Sequence, residues 1–135
     1  MKKEFIPYEQ ALELKGLGFD EPCLGYYNTT WSKQNELLFP QYAGELENWN
    51  EMTHLCSAPL YQQAFRWFRE KYVLDSIVQP TYSTKYQYRV FKVEAKSKVQ
   101  VYGDYMSKEF NTYEEAELAC LKRLIEIVKS NMDII

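Results

Sequence analysis

The sequence predicts an α+β fold, one antiparallel sheet packed by two or three helices, with the order α-β-β-β-α in its C-terminal part. Three stretches carry this expectation. "YQQAFRWFREKY" repeats aromatic residues at helical spacing, "KYQYRVFKVEA" and "KVQVYGDY" alternate apolar with polar residues as half-buried strands do, and "TYEEAELACLKRLIEIVK" sets a capping box before an apolar arc. At 135 residues the chain can bury roughly two thirds of its unfolded surface around one core, so 1–135 is read as a single domain.

The first helix is expected from Pro7 to Leu17. Proline suits a first helical turn, "YEQALELK" consists of good helix formers, and "LGF" is a stop in which Gly18 takes the left-handed position and Phe19 folds back on Leu14. A short strand follows around Pro22 to Tyr27, because a proline can begin a strand but not sit within one. Between 28 and 57 the pattern fades into polar patches, the apolar "LLFP" and the acidic "GELENWNEM". This segment is read as a long loop, a short hairpin or an irregular insertion.

The second helix is expected from Pro59 to Val73, entered through Ser57 or Ala58. At 100° per residue, Tyr61, Ala64, Phe65, Phe68 and Tyr72 form one inward stripe, and Gln62, Gln63, Arg66, Arg69 and Glu70 lie around the back. Trp67 falls off the stripe, so it must cover a neighbouring element or stay partly exposed. "SIVQP" reads as a short strand. In the hairpin that follows, Val93 is matched with Val99, Phe91 with Val101 and Glu94 with Lys98, leaving Ala95 to Ser97 as the loop. In the third helix Thr112 caps Glu115, Glu114 and Glu117 lie at the positive end of the dipole, and Arg123 and Lys129 follow. Its apolar residues, Tyr113, Ala116, Cys120, Leu121, Leu124, Ile125, Ile127 and Val128, span more than half the circumference. A second surface beyond the sheet is therefore expected, either helix one or another subunit, the latter giving a homodimer through 112–129.

Composition narrows the function classes. Hydrophobic residues at 46% and charged residues at 26% are globular values, and no apolar run approaches the roughly 18 residues that cross a bilayer. "MKKEFIPYEQ" has lysines but a glutamate and a proline where a signal peptide needs an apolar run, so a cytoplasmic protein is expected. Cys23, Cys56 and Cys120 are far apart and lack C-x-x-C spacing, which speaks against a disulfide framework and a zinc ribbon; they read as buried thiols. His54 stands two residues before Cys56 in "THLC". A Cys-His nucleophile or half a metal site is conceivable there, but no third group completes it, and a loop histidine near a buried cysteine is the plainer reading. No metal or other cofactor is expected.

Residues 1–58 hold four Lys against nine Asp or Glu, net −5, whereas 59–135 hold twelve basic against ten acidic groups, net +2. An overall charge of −3 is a poor start for gripping a polyanion. The α-β-β-β-α order is similar to that of a double-stranded-RNA-binding domain, but the last helix begins "TYEEAE", whose carboxylates would repel phosphates where such domains use lysines. Duplex binding is not expected. Single strands are less excluded, because Tyr86, Tyr88, Lys92, Lys98, Gln100 and Tyr102 on the outer face of the hairpin 85–105 mix rings with cations, unless the N-terminal segment covers those rings. Glu45 and Glu47 would share a face only if their loop were a strand, and no Gly-rich phosphate loop, H-E-x-x-H or G-x-S-x-G is present, so an enzyme is the least favoured class.

"YEQALELKGLGFDEPCLGYY", "APLYQQAFRWFREKY" and "FNTYEEAELACLKRLIEIV" together resemble a group of small uncharacterised proteins encoded by phages and prophages of gut bacteria. The resemblance leaves Asn28 to His54 outside, and Gly16 and Val73 stand where a helix former and a glycine are expected. It implies a setting, the cytoplasm of a bacterial host, and no activity. The resulting expectation is a non-catalytic accessory binding protein acting on a protein or small ligand, a role that twelve tyrosines suit.

Overall fold

Helix α1, Tyr8–Gly16, starts at Pro7, whose carbonyl accepts from the Ala11 N–H at 2.9 Å. It stops as "LGF" requires. Gly18 sits at φ 92°, its N–H donates to the Lys15 carbonyl at 3.0 Å, and the Phe19 N–H donates to the Leu14 carbonyl at 3.0 Å, the bond pair of a Schellman stop. The structure, a computed structural model, describes residues 2–30, 36–40, 45–92 and 102–132. Their contacts gather into two units, Met1–Gln63 and Ala64–Ile135.

In the first unit β1, Gly25–Asn28, pairs antiparallel with β2, Leu55–Ala58, setting Gly25 opposite Ala58 and Asn28 opposite Leu55. β1 lies later than expected, and Cys23 makes only a single bridge, to Glu47. The segment read as loop therefore contributes a strand, a 3-10 turn at Trp49–Glu51 and a bridge from Leu38 to Tyr26. β2 escaped the alternation test because all four of its residues are buried. Polar side chains of this segment replace ladder bonds. Asn50 donates through Nδ2 to the Phe19 carbonyl at 2.9 Å and accepts at Oδ1 from the Ser57 N–H at 2.8 Å. Lys15 at the end of α1 donates to the Met52 and Leu55 carbonyls at 2.9 and 2.6 Å.

Ser57 and Ala58 do not lead into a helix. The extended path continues through Pro59, whose carbonyl accepts from the Ile6 N–H at 2.9 Å, to Leu60, which bridges Phe5; α2, Tyr61–Tyr72, starts only then. Of its stripe, Tyr61, Ala64 and Phe68 are buried, while Phe65 is half-buried rather than core. Trp67 takes the covered option, at 4% exposure, with its ring edge-on to Phe68 and Tyr72 and the Lys71 ammonium 5.1 Å from its centre. Arg66 and Arg69 are exposed, as the helical spacing predicts.

After Val73 the second unit builds a sheet of order β3-β4-β5, antiparallel throughout: β3 is Leu74–Pro80, β4 Tyr86–Lys92 and β5 Tyr102–Met106. α3, Tyr113–Met132, packs on β3 and β4. The fold is thus α+β, and α2 to α3 realises the α-β-β-β-α order. Thr112 Oγ1 accepts from the Glu115 N–H at 3.1 Å, the cap that "TYEE" predicts. Ala116, Cys120, Leu121, Leu124, Ile125 and Val128 are at most 2% exposed, whereas Tyr113 is 43% exposed and Ile127 half-buried. The wide apolar arc is therefore largely buried within one chain.

The hairpin register differs from the expected one. Arg89 faces Met106, Val90 faces Tyr105 and Lys92 faces Tyr102, with an irregularity between Val90 and Lys92. The expected pairs Val93 with Val99 and Glu94 with Lys98, and Val101 as the partner of Phe91, lie outside the described residues; Lys92, which that register sets opposite Gln100, faces Tyr102. The sequence holds the physical cause. In "YQYRVFKV" the apolar phase runs Tyr86, Tyr88, Val90 and then slips by one to Phe91 and Val93; the expected register follows the second phase, whereas β4 keeps the first and stays paired with β3 through Lys92, the extra residue of the irregularity lying on β5.

Candidate functional site

The register divides the side chains of β3 and β4 between two faces. Tyr86, Tyr88, Val90 and Lys92 share one, with Ser76 and Val78 of β3; Gln87, Arg89 and Phe91 share the other, with Asp75, Ile77 and Gln79. α3 covers the first face. Tyr88 is 6% exposed and Val90 2%, the Tyr88 ring stacks on Phe110 at 6.2 Å, and the Tyr86 ring meets Tyr113 edge-on at 5.7 Å. Beyond β5 the chain continues along the same edge of β4. Ser107 Oγ accepts from the Tyr88 N–H at 2.9 Å, and Phe110 exchanges both backbone bonds with Tyr86.

Of the residues expected to stack on bases, Tyr86 and Tyr88 thus fall on the inner face. Tyr88 is core, Tyr86 is half-buried, and only Lys92 of the placed side chains is exposed. The cover over Tyr86 and Tyr88 includes Tyr113 of α3 and Phe110. Lys98 and Gln100 lie outside the described residues, and Tyr102 is placed by its backbone, opposite Lys92. The phase slip at Val90 and Phe91 accounts for the reversal: extending the pattern of the strand's far end backwards assigns the wrong parity to its near end.

The other face is the one left open. Ile77 is 43% exposed and Met106 47%, on either side of Arg89 in the register. The guanidinium carbon of Arg89 lies 5.7 Å from the centre of the Phe91 ring, two residues along the same strand face. Arg89 and Phe91 are both half-buried, so their apolar surfaces are only partly withdrawn from water. The i, i+2 pairing of an arginine with an aromatic was visible in "RVF", but which face it occupied was not.

Elsewhere the three cysteines are withdrawn from water. Burial pushes the Cys23 and Cys120 thiols up to about 12 and Cys56 up to about 11, so none supplies thiolate near neutrality. In "THLC" His54 is exposed and Cys56 fully buried. Glu45 and Glu47 are exposed and lie on no strand. Among the described residues no three His, Cys, Asp or Glu side chains gather as metal ligands would, and no helix is long and apolar enough to cross a membrane. Compared with known proteins, the chain matches no family model, no curated protein and no solved structure.

Proposed function

We propose that this chain is a non-catalytic accessory binding protein of a phage or prophage, acting in the cytoplasm of its bacterial host by engaging a protein through the open face of the β3-β4-β5 sheet. The supporting observation is the cluster of Ile77, Arg89, Phe91 and Met106, an aromatic and an arginine flanked by exposed aliphatic side chains. Phenylalanine, methionine and arginine are enriched at protein interfaces, where each gives a large contact area. A pleated face offers area rather than enclosure, which suits a protein better than a small ligand. The same pair of Arg89 and Phe91 gives a second reading, a single-stranded nucleic acid stacked on the ring.

The immobilised chain, incubated with bacterial lysate with and without nuclease, separates these readings when run beside Phe91→Ala. Retention of a protein that survives nuclease and is lost with Phe91→Ala supports the first. Retention lost on nuclease treatment transfers the site to nucleic acid, and retention indifferent to Phe91 overturns the placement on this face.

A further inference from the structure

The backbone bonds of β4 fix the direction of every amide in the sheet. Tyr86 and Tyr88 send their N–H groups toward Phe110 and Ser107, so by alternation Gln87, Arg89 and Phe91 send theirs toward β3. Asp75, Ile77 and Gln79 stand opposite those three and face back. Leu74, Ser76 and Val78 therefore turn their N–H groups outward, along an edge that pairs with no other described strand, and Pro80 at the next outward position has no N–H.

One of the three outward donors is already taken. The Ser76 N–H donates to Oδ1 of Asp75 at 2.8 Å, and the same oxygen lies 3.8 Å from the Arg69 guanidinium on α2. We propose that Asp75 guards this edge, withholding the Ser76 amide and placing a carboxylate on the seam, so that β3 does not pair with β3 of a second copy. An antiparallel edge is self-complementary about a twofold axis, which makes another copy the occupant to be excluded. The need for a guard follows from the strand itself, since "LDSIVQP" places Leu74, Ile77 and Val78 on an edge with Ile77 43% exposed. In a β3-β3 seam centred on Ser76 the two Asp75 carboxylates would also approach one another. This inference concerns self-association and stands apart from the ligand of the open face.

Sedimentation velocity over about 1 to 100 µM protein, the range in which weak association shows, tests it. Wild type is expected to remain monomeric, Asp75→Ala to associate at least tenfold more readily, and Asp75→Asn, whose side-chain oxygen still accepts from Ser76, to stay close to wild type. Adding Val78→Pro to Asp75→Ala removes an outward donor without touching the β4 ladder and is expected to restore the monomer. A folded Asp75→Ala that stays monomeric, a dimer indifferent to Val78→Pro, or a wild type that associates as readily as the variant overturns the proposal. Should Asp75→Ala fail to fold, amide exchange in wild type decides: Ser76 is expected to exchange at least tenfold more slowly than Val78, and equal rates overturn the guard.

Discussion

Under α3 the sheet presents Tyr88 at 6% exposure and Val90 at 2%, while on its other side Ile77 and Met106 stand at 43% and 47%. Both faces carry aromatic and aliphatic side chains, so hydrophobicity counted residue by residue does not separate them. What separates them is the partner. α3 supplies Ala116, Cys120, Leu121, Leu124, Ile125 and Val128, all nearly fully buried, and the sheet face that meets them becomes core. The opposite face keeps its apolar groups half in water, with Arg89 beside Phe91. A strand's alternation reports that two faces exist; the helix that lies on one of them decides which is interior.

The sharpest way to break this comparison is to cut one aromatic from each side. Phe68 on α2, fully buried, sets the scale: Phe68→Ala is expected to cost roughly 3–5 kcal/mol through the cavity it leaves. Tyr88→Ala is expected to cost about 3 kcal/mol by the same mechanism, and Phe91→Ala on the open face less than about 1 kcal/mol. Urea midpoints for the three variants check the order. If Phe91→Ala proved as damaging as Tyr88→Ala, the two faces would not differ as described.

The same pair of faces shows what was legible in the sequence. α1 with its glycine stop, the amphipathic α2, the capped α3 and the presence of a C-terminal hairpin all follow from local signals: a left-handed glycine, a 3.6-residue stripe, a Thr112 side chain within reach of the Glu115 amide. β2 does not, because its pairing with β1 is remote in the chain and its four buried residues erase the alternation. Nor is the parity of β4, because the apolar pattern of the sequence changes phase at Phe91 whereas the strand stays regular against β3 through Lys92, so a reading that follows Phe91 and Val93 misplaces Tyr86 and Tyr88. That misplacement moved the candidate site from Arg89 and Phe91 to Tyr86 and Tyr88. The width of the α3 arc was legible, and six of its eight apolar residues are buried within one chain.

Two smaller effects sharpen the boundaries of the unit that carries both faces. Thr112→Ala removes the acceptor for the Glu115 amide and is expected to cost about 1 kcal/mol, measurable as a lowered thermal midpoint. Val73, between α2 and β3, sits at φ 56°, where a β-branched side chain is strained. Relief of that strain outweighs the added freedom of glycine in the unfolded chain, since Val73 is 42% exposed and gives up little burial. Val73→Gly is therefore expected to stabilise by roughly 0.5–1 kcal/mol, and a lowered midpoint would show that the turn tolerates valine without strain.

The last expectation concerns pH and the covered face's own helix. Burial, and then the charge of Glu114 one turn back on α3, push the Glu117 carboxyl up from 4.5 to about 7. A carboxyl raised on folding binds its proton more tightly in the native state, so between about 4.5 and 7 the folded chain holds more protons than the unfolded one. Stability from this group therefore falls as pH rises through that window and is lowest above it. Glu117→Gln cannot ionise and escapes the loss. Its thermal midpoint should match wild type near pH 4, rise above it progressively through the window and hold a constant advantage at pH 8. Because Glu117 is only half-buried, solvent screening keeps that advantage to about 1 kcal/mol or less. Glu114→Gln relieves only the second cause and should recover a smaller part. An advantage independent of pH would mean that the glutamine packs better, and that Glu117 carries no unfavourable charge on α3.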